Sequence, residues 1–461
     1  MSATLSIVVP LFQESERMEL LRQGIESFLE GADLPFANYE FLFVDDGSRD
    51  DTWQQLEGLC QDGPHMARKA QRSATFQCLR LDSNQGKGAA LRRGVLASQG
   101  DWVLTLDADW ATDPLELVRW YKNDPIGFLA PEAIQVGSRE HPLSQVTDHP
   151  LRRGLGRCFN AVTQALSHLT LRDTQCGFKL YPGPVARRLF DGLRIQGWAH
   201  DVELLERATR QGSPIVERPV HWSAVGNSRV QPLPDSLRML RDVVRIRVRL
   251  AWEDWRAGLR NPWWRATAVA LFAGLVFVLA TFGQYGLTVD EPIQHLYGQC
   301  LAKWYTSGFA DRDALKVNNL YLYGGAFEVW PGLLDQAKGG LPIYALRHLM
   351  TALLGLVGVM GAIRLTHLLS GQARAAFFVA ILLLLHPLWW GHTFINSKDT
   401  PFAVGYVWSL YYIARLVRRL PRFPLGLVIK LGLVLGWTMG VRVGGVVLYP
   451  IVGLGLVLGL G

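Results

Sequence analysis

The stretch Trp102-Val103-Leu104-Thr105-Leu106-Asp107-Ala108-Asp109 decides the fold of the first half of this chain. An apolar run that ends in two carboxylates predicts a buried strand that delivers acids to the edge of a sheet. Asp107 and Asp109 stand two residues apart, so their side chains project to the same side of an extended chain. There they can hold Mg²⁺ or Mn²⁺, which can neutralise a diphosphate. The alternative is a solvated loop after a strand, and a lone D-x-D motif does not decide between the two.

Strand and helix patterns alternate around this run, from the N-terminus to about residue 230. The predicted strands cover residues 5–10, 40–44, 75–81 and 102–106, and the predicted helices cover residues 16–29, 51–60 and 86–98. Repeated βα units predict an α/β domain of Rossmann type with a mostly parallel sheet, whose ligands bind at the carboxyl ends of the strands. We place this domain at residues 1–234.

Composition separates the chain into two regions. Its 461 residues are 49% hydrophobic and carry a formal net charge of +7, which fits either a membrane protein or a nucleic-acid binder. Long apolar runs dominate from about Trp264 onward, and this segregation favours the membrane. No nucleic-acid recognition module is apparent, so we expect no nucleic acid as a partner. The N-terminus lacks the shape of a signal peptide, so we expect the first domain in the cytoplasm.

Residues 235–262 form the predicted link between the two regions. Leucine, valine and isoleucine alternate there with arginines, and four tryptophans follow, at Trp252, Trp255, Trp263 and Trp264. A basic amphipathic helix with tryptophans is typical of a helix that lies on an anionic membrane surface. The alternative is an ordinary surface helix of the first domain.

Residues 263–461 carry the pattern of a multi-pass membrane region. The predicted spans are 265–283, 345–366, 373–390, 401–417, 424–441 and 443–461, against a requirement of about 20 apolar residues each. With the first domain inside, the basic connections near Arg364 and Arg415 also lie inside, as the distribution of positive charge requires; Arg442 does not fit. We expect a bacterial inner-membrane protein whose membrane region is incomplete, because the chain ends within an apolar stretch.

Other strand ends of the first domain carry groups suited to a nucleotide. Pro10 and Glu14 follow one strand, and the carboxylates Asp45 and Asp46 end the next, where they can accept hydrogen bonds from a base or ribose. In Asn84-Gln85-Gly86-Lys87-Gly88, the glycines allow a close approach of the backbone, and Lys87 can reach a phosphate at a helix N-terminus. The alternative for Lys87 is an exposed lysine in a helix-starting turn.

Taken in order, these motifs resemble those of family 2 glycosyltransferases with a GT-A fold. The match is carried by Asp45-Asp46-Gly47-Ser48, Asn84-x-Gly86-Lys87-Gly88 and Asp107-x-Asp109, and it continues with Gly137-Ser138-Arg139, Asp173-x-Gln175-x-Gly177-Phe178-Lys179, Trp198-x-x-Asp201-Val202-Glu203-Leu204, Val220-His221-Trp222 and Asn227-Ser228-Arg229-Val230. The similar subgroup is the polyprenyl- (dolichyl-) phosphate hexosyltransferases. The tryptophan motif leans toward the glucosyltransferases of that subgroup.

The resemblance implies an inverting transfer of a hexose from UDP-glucose or GDP-mannose to polyprenyl phosphate. It implies nucleotide-sugar contacts at Pro10, Glu14, Asp45, Asp46, Lys87 and Asp107, a metal site at Asp107 and Asp109, and acceptor-phosphate contacts at Arg139, Arg153, Ser228 and Arg229. A lipid phosphate is already anionic near neutral pH and can attack without a protein base. Asp201, which we count among the catalytic candidates, can act as a base in relatives with hydroxyl acceptors, or it can orient a cation here.

The second region contains acids that we expect on the outer face of the membrane: Asp290, Glu291 and Asp399. Their motifs resemble the GT-C transferases that use lipid-phosphate sugars, the protein O-mannosyltransferase and aminoarabinose-transferase group. That resemblance implies that Asp290 is the base for an acceptor hydroxyl. The alternative is a single glycosyltransferase whose membrane region is a non-catalytic anchor or a flippase for lipid-linked sugar. The sequence does not indicate an oligomeric state.

Overall fold

The first half of the chain is built on a mostly parallel sheet. The computed structural model describes residues 3–147, 160, 163–164, 167, 169, 171–223, 232–336, 342–421 and 423–460. Its strands are β1 (Thr4–Leu11), β2 (Asn38–Asp45), β3 (Ser73–Arg80), β4 (Trp102–Thr105), β5 (Ile134–Ser138), β6 (Gln145–Thr147), β7 (Lys179–Pro182), β8 (Ile215–Pro219) and β9 (His221–Ser223). Within these residues, seven strands form one sheet in the order β3-β2-β1-β4-β7-β5-β8, and β6 pairs with β9.

Only β7 runs antiparallel to its neighbours β4 and β5; the other pairings in the sheet are parallel. The helices that lie within the described residues of this half are α1 (Met18–Gly31), α2 (Thr52–Lys69), α3 (Lys87–Ala97), α4 (Glu116–Asn123), α5 (Pro125–Phe128), α6 (Gly183–Asp191), α7 (His200–Arg210) and α8 (Pro232–Gly258). The α/β class with a mostly parallel sheet, as expected for a GT-A domain, is therefore confirmed.

Helices cover both faces of the sheet because β1 alternates between two cores. Leu5, Ile7 and Val9 face one core with α1 and α2, whereas Val8 faces the other with α3 and α7. This is the expected pattern for a parallel sheet that is buried on both sides. The carboxyl ends of β1, β2 and β4 consequently meet at one edge.

Helix α2 is longer than the sequence pattern predicts. The predicted end was residue 60, but the helix continues to Lys69 and passes through Pro64. Pro64 lies on the exposed side, while Gly63 and Met66 continue the buried face. Burial of that face outweighs the local cost of the proline.

The chain divides into two compact units at residues 250 and 251, within α8. The predicted boundary was residue 234. The first part of α8 instead belongs to the first unit, because Val243, Ile246 and Leu250 are fully buried in its core. A membrane-surface role for the rest of the helix stays a prediction.

The second unit contains helices and, among its described residues, no strands. Its helices are α9 (Pro262–Thr281), α10 (Glu291–Thr306), α11 (Val329–Gln336), α12 (Ile343–Ser370), α13 (Ala373–Leu385), α14 (Pro387–Ile395), α15 (Asp399–Val417), α16 (Leu425–Val441) and α17 (Leu448–Leu460), and short 3₁₀ turns connect several of them.

Among the described residues, two helical segments are long and apolar enough to cross a membrane, Pro262–Gln284 and Ile343–Ser370. A third is possible if α13 and α14, which meet at an angle of 65°, count as one span. The expectation of six spans is thus supported for two or three. The predicted span 373–390 breaks because Pro387 starts a new helix, and the apolar helices at the C-terminal end are shorter than a span requires.

Candidate active site

The loop before α3 is held in place by Asp46. The backbone N–H groups of Gln85 and Gly86 donate to the two carboxylate oxygens of Asp46, over 2.8 and 2.7 Å. Burial raises the pKa of Asp46, although these hydrogen bonds oppose the shift. Gly86 has a φ of +106°, and a Cβ there would lie 2.6 Å from the carbonyl oxygen of Gln196. Asp46 therefore shapes the predicted phosphate loop, and its contact with a nucleotide stays a prediction.

The neighbouring carboxylate, Asp45, is also engaged within the protein. Its Oδ1 accepts a hydrogen bond from the N–H of Ser48, and Nε of Arg80 lies 3.1 Å from Oδ2. Pro10 is buried in β1 opposite Val44. Glu14 lies beyond the end of β1, where its carboxylate accepts a hydrogen bond from Arg17. These residues all lie at the edge where nucleotides bind in such sheets.

Lys87, Asp107 and Asp109 come together at this edge, as the sequence predicts. The Lys87 ammonium lies 2.5 Å from Oδ1 of Asp107 and 5.5 Å from the centre of the Trp198 ring. Burial lowers the pKa of Lys87, but the negative charges of Asp107 and Asp201 raise the pKa by more, so the net shift is upward. The lysine is therefore a cation at the working pH.

The two carboxylates of the D-x-D motif occupy a tight turn after β4. Asp109 accepts a hydrogen bond from the N–H of Ala111. Trp110, which lies between Asp109 and Ala111, has a φ of +55°. Gly177 lies against Asp107, because a Cβ there would lie 2.4 Å from the carboxylate. Burial and the charge of Asp107 raise the pKa of Asp109. Lys87 and Arg17 offset part of this negative charge, and the two carboxylates are suited to a further cation.

The donor set fits a divalent cation that the protein shares with a ligand. Among the described residues, no group of three or more histidine, cysteine, aspartate or glutamate side chains could hold a metal alone. Asp107 and Asp109 supply hard oxygen ligands, and Mg²⁺ or Mn²⁺ commonly completes its shell with water and phosphate oxygens.

Asp201 lies in a buried ionic network next to this turn. Its Oδ1 accepts a hydrogen bond from Lys179 over 2.6 Å, and His200 Nε2 lies 3.4 Å away. Burial raises the pKa of Asp201, but His200 and Lys179 lower it more, and the net shift is downward. An ionised carboxylate in such a network is better suited to orienting cations than to accepting a proton.

Arg139 forms a two-pronged ion pair that the sequence analysis did not anticipate. Its Nε and Nη2 donate to the carboxylate of Asp173 over 2.7 and 3.0 Å, and its guanidinium lies over the ring of Trp222. Among the described residues, Nη1 makes no hydrogen bond. The other predicted acceptor-phosphate contacts, Arg153, Ser228 and Arg229, lie outside the residues that the structure describes.

A buried acid near the same edge was missed by sequence reasoning. Glu116 lies 3.4 Å from Nδ1 of His221 and 3.3 Å from Nη1 of Arg119. Burial raises the pKa of Glu116 to about 7. Strand β9 is also tied to the D-x-D turn, since the N–H of Ser223 donates to the carbonyl of Ala111. The sequence signal was weak, because Glu116 and His221 lie 105 positions apart along the chain.

The predicted outer-face acids of the second unit differ in their surroundings. Asp290 is exposed, whereas Glu291 is buried and accepts hydrogen bonds from His348 over 2.7 Å and from the backbone N–H of Thr288. Asp399 pairs with Arg442. This pairing gives a local reason for Arg442, which did not fit the predicted charge distribution.

A buried polar cluster in the second unit was also missed. Glu328 accepts hydrogen bonds from Arg347 over 2.7 Å and from Ser397 over 2.5 Å. Glu328 and Ser397 line a small cleft, with a volume of about 10 Å³, together with Gln294, Lys398 and Arg442. Among the described residues, the buried Nε2 of Gln294 has no hydrogen-bond partner. The visible signal was Arg347-His348 near the start of an apolar helix, where charged residues are rare and usually functional.

Comparisons with known proteins identify the class of this chain. The Glycosyl transferase family 2 profile matches residues 6–189. A dolichyl-phosphate β-glucosyltransferase of Dictyostelium discoideum is 34% identical over 55% of this chain and 76% of its own length. The human protein of the same name is 34% identical over 55% of this chain and 77% of its own length. A glucosyl-3-phosphoglycerate synthase of Mycobacterium tuberculosis, solved with Mn²⁺ and UDP-glucose, has a TM-score of 0.36 at 20% identity and covers 52% of this chain and 77% of that one.

The first unit is thus a glycosyltransferase domain. The chain belongs to glycosyltransferase family 2, and dolichyl-phosphate β-glucosyltransferases are among its relatives.

Proposed function

We propose that the first unit transfers a hexose from a nucleotide sugar to polyprenyl phosphate, with glucose from UDP-glucose the first candidate and mannose from GDP-mannose the second. The observation that carries this proposal is the meeting of Lys87, Asp107 and Asp109 at the carboxyl ends of the strands. Two carboxylates, a lysine and the N-terminus of α3 suit a diphosphate leaving group. The names of the relatives supply the glucose and the lipid phosphate.

The reaction requires no protein base, because a phosphate monoester is already anionic near neutral pH. An oxygen of the lipid phosphate attacks the anomeric carbon, the bond from that carbon to the diphosphate oxygen breaks, and the nucleoside diphosphate leaves with inversion. Mg²⁺ or Mn²⁺, when bound at Asp107 and Asp109, supplies charge neutralisation of the leaving diphosphate. Lys87 adds a cation on the same side, and Asp201 is a positioning residue that fixes Lys179.

The acceptor phosphate is proposed to bind near Arg139 and Trp222. Among the described residues, Nη1 of Arg139 makes no hydrogen bond, so it offers a donor for a phosphate oxygen, and the ring of Trp222 offers a surface for the start of a lipid chain. Arg153, Ser228 and Arg229 remain proposed partners at this site.

We further propose that the second unit lies in a lipid bilayer, with the first unit on its cytoplasmic side. Large apolar side chains are exposed on its helices, among them Val269, Phe272 and Leu382. Lipid is the solvent in which such surfaces are stable. The exposed Trp252 and Trp255, whose rings stack at 4.7 Å, suit the membrane interface.

The deciding experiment incubates membranes that contain the full chain with polyprenyl phosphate and either labelled UDP-glucose or labelled GDP-mannose. We expect label in an acid-labile lipid from UDP-glucose, and Asp109→Asn should reduce it by several orders of magnitude, since a metal ligand contributes several kcal/mol to the transition state. Full activity in EDTA would contradict the metal assignment. Transfer from neither donor would contradict the function itself.

A second candidate function, use of the lipid-linked sugar by the second unit, is favoured by the cleft around Glu328. Charged side chains, the amide of Gln294 and the aromatic rings of Tyr323 and Phe327 line it, and these are the kinds of group that contact a sugar and a phosphate. The test supplies preformed polyprenyl-phosphate glucose to membranes with Asp109→Asn and follows loss of label from the lipid. Persistence of the label would favour the anchor or flippase alternative.

A further inference from the structure

We propose that the Lys87 ammonium pairs with the Asp107 carboxylate when no donor is bound. When the divalent cation and the donor bind together, the ammonium leaves Asp107 and pairs with the diphosphate. The proposal rests on the proposed function, because it concerns the same donor site. It makes metal binding and nucleotide binding mutually dependent.

The first step is the contact itself. The Lys87 ammonium lies 2.5 Å from Oδ1 of Asp107, and its side chain is only 14% exposed. A divalent cation at the D-x-D motif requires oxygens of the same carboxylate. Two cations compete for one carboxylate, so Lys87 opposes the binding of a metal that arrives alone.

The second step is that the ammonium of Lys87 can reach partners other than Asp107. Its backbone is fixed, because Asp46 holds the N–H of Gly86 and the carbonyl of Gln196 accepts from the N–H of Gly88 over 2.7 Å. The centre of the Trp198 ring lies 5.5 Å from the Lys87 ammonium, so the ring offers a second surface that can hold this cation. Lys87 is also the first residue of α3, where a diphosphate would meet backbone N–H groups.

The third step is thermodynamic. A group that weakens metal binding alone but strengthens binding of metal and diphosphate together contributes to the coupling free energy between the two ligands. By reciprocity, the nucleotide must then tighten the metal by the same factor as the metal tightens the nucleotide. Removal of Lys87 should reduce that factor from both directions.

The experiment measures Mn²⁺ affinity by electron paramagnetic resonance on the full chain in detergent, with and without UDP. In Lys87→Met, we expect Mn²⁺ alone to bind roughly threefold or more tightly than in the wild type, and the enhancement by UDP to shrink by a similar factor. Lys87→Arg, which keeps the charge, should restore most of the enhancement. Lys122→Met is the matched control, because it removes another Lys–Asp pair, that with Asp33 at 3.1 Å, on the exposed surface.

The outcomes separate this proposal from the function on which it rests. If the wild type binds Mn²⁺ with UDP but Lys87→Met has an unchanged affinity for Mn²⁺ alone, only the role of Lys87 is overturned. If the wild type binds no Mn²⁺ with UDP, the donor site fails and the role of Lys87 fails with it.

A second measurement uses the wild type and does not depend on a variant that folds. Acetylation of Lys87, followed by mass spectrometry, should increase when Mn²⁺ is added alone and decrease when Mn²⁺ and UDP are added together. Equal labelling in all three conditions would overturn the proposal.

Discussion

At the scale of single residues, the pair of Arg139 and Asp173 changes how the acceptor site can be tested. The Asp173 carboxylate is 7% exposed, and Nε of Arg139 lies 2.7 Å from its Oδ2. Burial raises the pKa of Asp173, but Arg139 and its hydrogen bonds lower it more, so the carboxylate stays charged. A neutral residue at position 139 would leave that charge buried without its partner.

We therefore predict that two substitutions of this arginine affect different properties, one mainly the stability of the fold and the other mainly the binding of the acceptor. Arg139→Ala should lower the free energy of unfolding by about 3 kcal/mol or more, because it strands a buried charge. Arg139→Lys keeps the charge but loses the fork, and should raise KM for polyprenyl phosphate more than KM for UDP-glucose. Steady-state kinetics and thermal unfolding of both variants check this. Equal effects on the two KM values in Arg139→Lys would remove the arginine from the acceptor site.

Glu116 gives a prediction about pH. Its pKa in the folded protein, raised by burial to about 7, exceeds the ordinary value of 4.5. The sign follows directly: the unfolded chain releases the proton first, so this group stabilises the fold at low pH, and the contribution is lost as pH rises from about 4.5 to 7. Arg119, Asp113 and His221 face the same carboxylate.

Glu116→Gln should remove that dependence. Between about pH 5 and pH 7.5, the wild type should lose on the order of 2 kcal/mol of stability relative to the glutamine variant. Both the size of the loss and the pH range follow from the rise in the pKa of Glu116. Unfolding midpoints of the full chain in detergent at several pH values provide the measurement. Parallel curves for the two proteins would show that Glu116 does not titrate in this range.

At the scale of elements, sequence patterns predicted the elements that local chemistry determines. Strand β4 and the turn that follows it were visible because an apolar run ended in Asp107 and Asp109, and Lys87 followed from a glycine-rich helix start. The partners of these residues were not predictable in the same way. The pairing of Lys179 with Asp201 and the antiparallel insertion of β7 depend on contacts far apart in the sequence. Local patterns carry no record of them.

Helix α8 shows the same limit. Its alternation of arginine and apolar residues predicted a helix on a membrane surface, with a surface helix of the first domain as the alternative. The structure buries one stripe of its first part in the first unit, where Arg249 contacts Glu203 and Arg247 lies 3.3 Å from Glu206. An amphipathic pattern specifies two faces but not what covers the apolar one.

A matched pair of substitutions tests this docking. Ile246 is fully buried, whereas Val248 is 66% exposed. Ile246→Ala should destabilise the docked part of α8 by about 2–5 kcal/mol, and Val248→Ala should have little effect. Hydrogen exchange of the amides in residues 238–250 measures the difference. Equal protection in both variants would mean that this stripe does not hold the helix.

At the scale of the whole molecule, the open question is whether the chain carries one catalytic centre or two. The family membership covers the first unit. In the second unit, Glu291 is committed to His348, and Glu328 to Arg347 and Ser397. Asp290 is the exposed acid of the predicted outer-face group that directly precedes α10. It is consequently the group to substitute.

We predict that Asp290→Asn, in the complete protein, stops the consumption of polyprenyl-phosphate glucose and leaves its synthesis intact. The reason is that a base for an acceptor hydroxyl must be exposed to that acceptor, whereas synthesis uses the donor site of the first unit. A pulse of labelled UDP-glucose followed by a chase measures both steps in one membrane preparation. Asp313→Asn is the control, since Asp313 is another exposed acid nearby, paired with Lys316 at 2.8 Å. If label still leaves the lipid in Asp290→Asn, the second unit is better described as an anchor or flippase; if synthesis is lost as well, the two sites do not lie on opposite sides of the bilayer.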